Sequence, residues 1–181
     1  MRIVIDTCVW VAALRSRRGA GFAVLAQIPH KKLRFGVSVA LYLEYKAKLT
    51  EIAEKGLTPL SKAICAAANS RPAALQVVSS SAPKAQYTAM ICGSANASSR
   101  KQVDSVLSAL AFYCTEVPMF FRLRPDLRDE KDNMVFECAA NLGASAIVTH
   151  NVRDFITSEA AGYGLEIMTP ARFIHNLGGS V

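Results

Sequence analysis

Apolar residues follow two alternating patterns along the chain: short continuous runs rich in β-branched residues, and longer segments with helical spacing. The short runs predict buried strands, of which the first covers residues 2–5 and ends at Asp6. The later strands or extended segments are expected at residues 33–37, 117–123, 146–149 and 165–168. The helical segments are expected at residues 9–14, 22–28, 38–55, 101–114, 129–142, 155–161 and 170–177. Because strands alternate with helices, the pattern predicts an α/β fold with a mostly parallel sheet.

Capping residues mark the ends of several of these predicted helices. Ser38 is the expected N-cap of the long helix that follows it, and Gly56 is the expected stop of that helix. Gly143 is expected to end the helix at 129–142, and Pro170 occupies the start of the last helix. These boundaries therefore follow from backbone chemistry as well as from apolar spacing.

The segment from residue 59 to residue 99 breaks the pattern. It is rich in Ala and Ser, contains almost no acids and has weak periodicity. A segment of this size and composition can hardly bury a hydrophobic core of its own. We therefore expect one domain over residues 1–181 that carries an Ala/Ser-rich insertion at about 59–99.

The composition is that of a globular protein, with 51% apolar and 19% charged residues, and it argues against a disordered chain. No apolar run approaches the roughly 20 residues that a membrane-spanning helix requires. An acid interrupts the first apolar run at once, which is unlike a signal peptide, so a cytoplasmic protein is expected. The five cysteines are odd in number, widely spaced and without a CxxC pair. This excludes a zinc ribbon and favours buried free thiols.

Three acids lie where α/β enzymes usually carry their chemistry, near the carboxyl ends of strands. Asp6 follows the first strand, and Asp154 lies in the expected turn after the strand at 146–149. Asp132 lies in the first turn of the helix that is expected to begin at Asp129. Asp129 has the spacing of an N-cap to Asp132, and helix capping is the ordinary explanation of both residues. Asp132 points into the same helix end, where it could also serve a site.

Two glutamates have competing explanations. Glu44 lies in an apolar helical stretch, where it either forms an ordinary surface ion pair with Lys48 or has a function that justifies a charge against an apolar face. Position alone leaves both explanations open. Glu137 follows Asp132 by five residues, a rotation of about 500° along a helix, so both can hardly face one metal ion. Glu137 is therefore expected to be a structural or surface residue.

Clustered carboxylates repel one another unless a cation neutralises them. A hard divalent ion with oxygen ligands does so, and Mg²⁺ takes a few carboxylates while it keeps several waters. Such a site suits phosphodiester hydrolysis, because the metal activates water and stabilises the leaving oxygen. The net charge of +7 favours a polyanionic partner such as nucleic acid. The basic residues near the acid-bearing turns, which could hold phosphates, are Arg15, Arg17, Arg18, Arg128 and Arg153.

Four stretches resemble the PIN domain family in the family's order. IVIDTCVWVAAL resembles the first strand and helix, and SVALYLEY resembles the second element. RDEKDNMVFECAANLGASAIVTHNVRDF, the most specific stretch, resembles the third-acid helix and the following strand of PIN-type toxins, including VapC-like toxins. The ending IMTPARFI resembles the last strand and helix. Together the resemblance covers residues 1–57 and about 100–177.

The resemblance implies a three-layer α/β/α fold with Mg²⁺- or Mn²⁺-dependent cleavage of RNA. It also implies frequent homodimers and inhibition by the antitoxin protein of a toxin–antitoxin pair. The acids carried over by position as metal ligands and catalytic residues are Asp6, Glu44, Asp132 and Asp154. Thr7 and Asn151 are expected either to assist through hydrogen bonds to a ligand or phosphate, or to cap their turns. The basic residues expected to contact the substrate are Arg15, Arg17, Arg18 and Arg153.

The sequence departs from the family pattern at two places. Residues 59–99 have no counterpart, and Asn151 stands where many PIN domains have an aspartate. Asn151 with Asp154 does match the NxxDF form of toxin-like members. Two alternatives stay open: a PIN-like protein that binds nucleic acid or a partner without cutting, and a phosphatase with an aspartyl nucleophile. The phosphatase usually needs an aspartate two residues after the first, where this chain has Cys8.

Overall fold

The structure, a computed structural model, describes residues 1–28, 33–54, 99–120, 122, 130–155 and 162–178. Residues 59–98 of the expected insertion lie outside the described residues, and so do Gly56, Arg128 and Asp129. The expected organisation as one domain with an insertion therefore stays a prediction.

Five parallel strands form one sheet in the described part of the chain, in the order β3-β2-β1-β4-β5. They are β1 (Arg2–Ile5), β2 (Arg34–Val37), β3 (Thr115–Glu116), β4 (Ala146–Val148) and β5 (Glu166–Met168). β1 is central, and its Ile3 pairs with Phe35 of β2 and with Ala146 of β4. The chain proceeds outward from β1 through β2 to β3 and then crosses to β4 on the other side of β1. The carboxyl ends of β1 and β4 thus flank the point where strand order reverses, the usual place for a ligand in such sheets.

Helices flank this sheet and complete a three-layer α/β/α fold, so the predicted fold class is confirmed. They are α1 (Thr7–Arg15), α2 (Ala20–Leu25), α3 (Val39–Glu54), α4 (Ser99–Tyr113), α5 (Asn133–Leu142), α6 (Val152–Phe155) and α7 (Pro170–Gly178). A 3-10 turn, Glu130–Asp132, leads into α5. α1 packs against α2 and α3, while α5 packs on β1, β2 and β4. No helix in the described ranges combines the length and the apolar character needed to cross a membrane.

The hydrophobic core is built on β1, whose last three residues are fully buried. Trp10 of α1 is also fully buried, and its ring centroid lies 5.9 Å from that of Phe35 and 5.4 Å from that of Tyr45. The Tyr45 hydroxyl donates a hydrogen bond to the Ile5 carbonyl oxygen. These contacts fasten α1 and α3 to the end of β1, and they fix the position of Glu44, the neighbour of Tyr45 on α3.

Two predicted helix boundaries are confirmed. The Leu41 backbone N–H donates to Ser38 Oγ at 3.3 Å, so the Ser38 side chain caps α3. Gly143 follows α5 with φ 58° and ψ 48°, a left-handed conformation that favours glycine. This turn ends the helix and returns the chain to the sheet at β4.

Two other predictions were wrong in position. The strand or extended edge expected at 117–123 corresponds to β3, which begins two residues earlier, where polar exposed residues pair with the end of β2; residues 121 and 123 lie outside the described residues. That pairing leaves no apolar signal in the sequence. The helix after β4 begins at Val152 instead of residue 155. Asp154 therefore lies on a short helix and not in a turn, while residues 156–161 of the predicted helix are outside the described residues.

Candidate active site

Asp6 lies at the junction of β1 and α1, where the buried strand ends and the helix begins. Its backbone N–H continues the sheet by donating to the Val148 carbonyl at 2.9 Å. Its side chain is the N-cap of α1 and accepts from the Cys8 backbone N–H at 3.3 Å. The residue is only 5% exposed. The helix N-terminus and the sheet together hold this carboxylate in a fixed place, and the positive end of α1 favours its charge.

Two further side chains hold the Asp6 carboxylate, and both were missed in the sequence. Thr149 Oγ1 donates to Asp6 Oδ2 at 2.6 Å, and Cys8 Sγ donates to the same oxygen at 2.9 Å. Thr149 is fully buried at the end of β4. Its place directly after a buried strand was a signal, because that is where such sheets present functional groups. A hydroxyl or thiol there is too common for the sequence alone to assign a role.

Burial and the charge of Asp6 raise the pKa of the Cys8 thiol to about 12. The thiol therefore stays protonated at neutral pH, which agrees with its role as a hydrogen-bond donor to Asp6. A thiol with so high a pKa is a poor nucleophile, because the thiolate is the reactive form.

A cleft of about 550 Å³ opens beside Asp6. Its lining combines acids, bases and small apolar side chains from α1, α3, the 3-10 turn and the segment after β4. The lining residues are Asp6, Thr7, Cys8, Val11, Ala12, Arg15, Glu44, Lys48, Lys131, Asp132 and Asn151. Three of the four predicted acids, Asp6, Glu44 and Asp132, thus share one cleft. Both predicted assisting residues, Thr7 and Asn151, line it as well.

Glu44 lies on the α3 side of the cleft in a partly buried position. Burial raises the pKa of this carboxyl above its ordinary value, the charge of Asp6 adds to the rise, and the nearby Thr7 hydroxyl opposes it. Within the described residues, neither the buried Glu44 Oε2 nor the buried Thr7 Oγ1 has a hydrogen-bond partner. An unpaired buried carboxylate oxygen beside a second carboxylate is costly unless a cation is present.

Lys48 does not pair with Glu44 as the surface explanation of Glu44 required. Its Nζ lies 3.3 Å from Glu51 Oε2, one turn further along α3, and both side chains of that pair are nearly half exposed. Lys48 and Lys131 nevertheless line the cleft, and their positive charges lower the pKa of Glu44. Neither lysine was among the residues predicted to contact a substrate.

Asp132 is the residue that joins the 3-10 turn to α5. It has the position of an N-cap, but its side chain makes no capping hydrogen bond to the described first turn of α5. Its partly buried side chain lines the cleft instead. Glu137, which was expected to be structural, lies on α5 and outside the cleft lining.

Asn151, and not Asp154, reaches the cleft from the segment after β4. The Asn151 backbone N–H donates to Thr149 Oγ1 at 2.9 Å, so the same hydroxyl that holds Asp6 also positions Asn151. Asp154 is partly buried on α6 and is not among the residues that line the cleft. Its backbone N–H donates to the Asn151 carbonyl at 3.1 Å, which ties α6 to this segment.

The predicted arginines are placed differently from one another. Arg15, at the end of α1, lines the cleft. The Arg17 guanidinium lies 5.7 Å from the centroid of the Phe22 ring, in a cation–π contact within the protein. Arg18 and Arg153 are exposed and do not line the cleft. Only Arg15 of these residues thus lies beside the carboxylates.

The donor set fits a hard divalent cation held by few protein ligands. In the described ranges, no group of three or more His, Cys, Asp and Glu side chains is arranged to hold a metal ion. Mg²⁺ does not require one, because it binds through one or two carboxylates and keeps waters or substrate phosphates as its other ligands. The unpaired Glu44 Oε2 and Thr7 Oγ1 beside Asp6 supply oxygen atoms of the kind that Mg²⁺ and Mn²⁺ prefer.

Comparison with known proteins identifies the family. Residues 2–153 match the PIN domain family, a span that contains Asp6, Glu44, Asp132 and Asn151. No curated protein and no solved structure matched the chain. The matched span covers most of the chain, and the parallel sheet with flanking helices agrees with it. The chain belongs to the PIN domain family, whose members are generally nucleases.

Proposed function

We propose that this PIN domain is a divalent-metal-dependent endoribonuclease that hydrolyses phosphodiester bonds in RNA. One observation carries the proposal: Asp6, Glu44 and Asp132 line a single cleft together with three basic side chains. The cleft lies at the reversal point of strand order, where sheets of this kind bind ligands. The carboxylates can bind a cation and the basic side chains can bind phosphates. A cleft that combines the two suits the cleavage of a polyanion.

Asp6, Glu44 and Asp132 are the residues that would hold Mg²⁺ or Mn²⁺, partly through bridging waters, because the described side chains include no group of three arranged to bind one ion directly. When bound, such an ion lowers the pKa of a water molecule and stabilises negative charge on the phosphate. Asp6 is held by hydrogen bonds from Thr149 and Cys8, so its orientation does not depend on a ligand. Glu44 has an oxygen without a partner among the described residues, so its charge is available to a cation.

The basic side chains of the cleft orient the RNA. Arg15, Lys48 and Lys131 supply the positive charge that a phosphate backbone needs beside three carboxylates. Phosphate contacts of this kind give affinity and register without selecting a base. Val11 and Ala12 form a small apolar part of the lining, against which the apolar face of a ribose or base can pack.

The segment after β4 carries Asn151 and leads to Asp154, the two residues considered for the fourth polar group of the site. Asn151 is proposed to donate or accept a hydrogen bond at the substrate, since its side chain borders the cleft. Asp154, the fourth acid implied by the family resemblance, is proposed to act through this segment, to which its backbone is hydrogen bonded. Comparing Asn151→Ala with Asp154→Asn separates the two roles: the larger loss of cleavage identifies the residue that reaches the substrate.

The biological role that we propose is that of a toxin, inhibited by a cognate antitoxin protein and acting as a homodimer on cytoplasmic RNA. Support comes from the resemblance of residues 128–155 to PIN-type toxins and from the net charge of +7. We also propose that residues 59–99 are a peripheral insertion in a single domain. Growth arrest on expression, relieved by a neighbouring small gene, would support the toxin role, and a stable variant that joins Thr58 to Arg100 would support the insertion.

The test of the nuclease is cleavage of a labelled RNA by the purified chain with EDTA, and then with Mn²⁺ or Mg²⁺ restored. Cleavage is expected only with the metal, and Asp132→Asn is expected to lose it while the thermal unfolding temperature is retained. Cleavage that survives EDTA, or that Asp132→Asn leaves intact, contradicts the proposal. RNA binding without cleavage under every metal condition would favour the alternative of a binding module that no longer cuts.

A further inference from the structure

Cys8 is a soft donor in a cleft otherwise lined by oxygen and nitrogen groups. It is the second residue of α1, it is a free thiol, and it is partly exposed to the cleft. The other cysteines in the described ranges, Cys114 and Cys138, do not line the cleft. Thiolate sulfur selects zinc and similar ions, whereas magnesium and manganese prefer oxygen.

The thiol and the Asp6 carboxylate form one pair of donors. Cys8 Sγ lies 2.9 Å from Asp6 Oδ2, with the thiol hydrogen between them. A cation that contacts Oδ2 from the cleft therefore lies close to Sγ as well. Zinc binds sulfur at about 2.3 Å and carboxylate oxygen at about 2.0–2.2 Å, so a small widening of this pair admits the ion.

Two further oxygen atoms belong to residues that line the cleft beside this pair. Thr7 Oγ1 is unpaired among the described residues, although Thr7 is only 6% exposed, and Thr7 lines the cleft next to Cys8. Glu44 Oε2 is likewise buried and without a described partner. The Thr7 hydroxyl also lowers the pKa of Glu44, so the two residues lie close to each other at this end of the cleft.

The backbone around Cys8 is already arranged to support a bound sulfur. The His150 backbone N–H donates to Cys8 Sγ at 3.3 Å. Hydrogen bonds to a metal-bound sulfur stabilise its negative charge and tune the site. This donor comes from the segment after β4, so it is held by the sheet and not by the helix that carries Cys8.

We propose that the cleft also binds a thiophilic divalent cation, zinc or cadmium, through Cys8 Sγ and the Asp6 carboxylate. On binding, the S–H bond breaks, a sulfur–metal bond forms and the proton leaves to solvent, since a coordinating thiol is deprotonated outright. No oxidation state changes. Such an ion competes with Mg²⁺ or Mn²⁺ for Asp6 and inhibits cleavage, a consequence that rests on the proposed function.

The test is a titration of the metal-free full chain with Cd²⁺, followed by the ultraviolet sulfur-to-cadmium charge-transfer absorption. Cys65 and Cys92, outside the described residues, are replaced by Ser throughout so that their thiols do not contribute. We expect a saturable band that Cys8→Ser abolishes and that the matched control Cys114→Ser retains. Cd²⁺ affinity should fall in Cys8→Ser by at least the roughly 10–100-fold that loss of a supporting partner costs. A band that persists in Cys8→Ser, or no band in the parent, overturns the proposal.

A second readout needs no substitution at Cys8. Saturation of the parent chain with Cd²⁺ at neutral pH is expected to release the proton of the Cys8 thiol, measured with an indicator dye in weakly buffered solution. Saturation without proton release contradicts the site. Asp6→Asn keeps the thiol but should weaken Cd²⁺ binding, and unchanged affinity in that variant would remove Asp6 from the site.

Mn²⁺ binding, measured by electron paramagnetic resonance, separates this inference from the nuclease proposal. Cys8→Ser should lose far more affinity for Cd²⁺ than for Mn²⁺, because a hydroxyl replaces sulfur while the carboxylates stay. Equal losses for the two ions indicate a merely structural role for Cys8 and overturn the inference. If the parent chain binds no Mn²⁺ in a manner sensitive to Asp6→Asn, the nuclease proposal fails, whereas a cadmium band at Cys8 would still stand.

Discussion

The two sides of the cleft hold their carboxylates in opposite ways. On the β1 side, Asp6 is 5% exposed and accepts hydrogen bonds from Thr149, Cys8 and the first turn of α1. On the α3 side, Glu44 is partly buried with an oxygen that has no partner in the described residues. Burial and the charge of Asp6 raise the pKa of Glu44, so the fold opposes the ionised form of that carboxylate.

The difference separates a carboxylate that the protein holds in place from one that awaits a ligand. Asp6 is oriented before any ion arrives, which lowers the entropy lost on binding. Glu44 gains more from a cation, because an ion neutralises a charge that the metal-free fold penalises. Substitutions that change one side of the cleft and leave the other intact can therefore test the two roles separately.

The largest expected effect comes from removing the charge of Asp6 on the β1 side of the cleft. Asp6→Asn keeps a side chain of the same shape but lacks the carboxylate proposed to bind the metal. RNA cleavage should fall by at least about 100-fold, with a parallel loss of Mn²⁺ affinity. Single-turnover cleavage and Mn²⁺ titration measure the two losses. Asp104→Asn, an exposed acid on α4, is the matched control and should retain both. Wild-type cleavage by Asp6→Asn would show that Asp6 has no part in the chemistry.

A smaller effect is expected when Asp6 loses a partner but keeps its charge. Thr149→Val removes the donor to Asp6 Oδ2 and the acceptor of the Asn151 backbone N–H. Mn²⁺ affinity should fall roughly 10–100-fold, and the free energy of unfolding should fall by about 1.5–3 kcal/mol, the range for hydrogen bonds to charged groups. Calorimetry and chemical denaturation measure these changes. Thr149→Ser keeps the hydroxyl and should restore metal affinity; if it behaves like Val, packing of the methyl group is what matters.

Lys48 of α3 and Lys131 of the 3-10 turn should contribute to RNA binding, and their removal also takes away two charges that lower the pKa of Glu44. Lys48→Ala with Lys131→Ala should reduce the slope of log affinity against log salt by about 0.7 for each phosphate of a single strand that the variant no longer neutralises. Lys46→Ala, an exposed lysine on α3 outside the cleft lining, serves as the control. Binding is measured with a catalytically inactive Asp6→Asn chain, so that the RNA stays intact. An unchanged slope in the double variant means that RNA approaches from elsewhere.

The smallest effect concerns the stability of the metal-free chain and its dependence on pH. The raised pKa of Glu44 means that the folded chain binds this proton more tightly than the unfolded chain. Its stabilising contribution is therefore complete below the ordinary pKa of 4.5 and is lost as pH rises through the higher folded value. At neutral pH, Glu44→Gln should raise the free energy of unfolding by under about 1 kcal/mol, because solvent screens a partly exposed charge.

Added Mn²⁺ should reverse this order. With the ion bound, the wild-type carboxylate gains a partner that Gln cannot replace, so wild type should unfold at the higher temperature. Thermal unfolding with EDTA and with Mn²⁺, at neutral pH and below the ordinary pKa of Glu44, measures both effects. Equal stabilities of the two proteins in EDTA at neutral pH would show that Glu44 is not penalised by its surroundings.

The sequence was sufficient to predict β1, β4 and the α/β architecture, because short β-branched runs and glycine stops report local backbone preferences. It failed at β3, whose two exposed polar residues are a strand only because they pair with β2. It also misplaced α6, since a helix of four residues is too short for apolar periodicity to appear. Both failures concern elements that tertiary contacts define.

In the candidate site, too, the sequence indicated some residues, whereas others could be found only from tertiary contacts. Placement after strands brought Asp6 into consideration, and the family resemblance moved Glu44 from a surface pair toward function. The partners of these acids could not be found, because Thr149 is separated from Asp6 by 143 positions and nothing local marks the contact. Lys48 looked like the partner of Glu44 by spacing, yet it pairs with Glu51. Spacing indicates which residues are neighbours on one helix, but it does not indicate which of those neighbours forms the ion pair.

The central position of β1 has a consequence for how the protein is made. β1 is synthesised before both of its neighbours in the sheet, and one of them, β4, follows only after all the residues that lie between the two strands. A nascent chain that stops before β4 has Asp6 without the Thr149 hydroxyl and without the Asn151 segment. Contacts between such distant positions form slowly, because the long intervening loop must close first. The cleft is therefore among the last parts to assemble, and a nascent chain lacks the complete candidate site until β4 and the Asn151 segment have been synthesised.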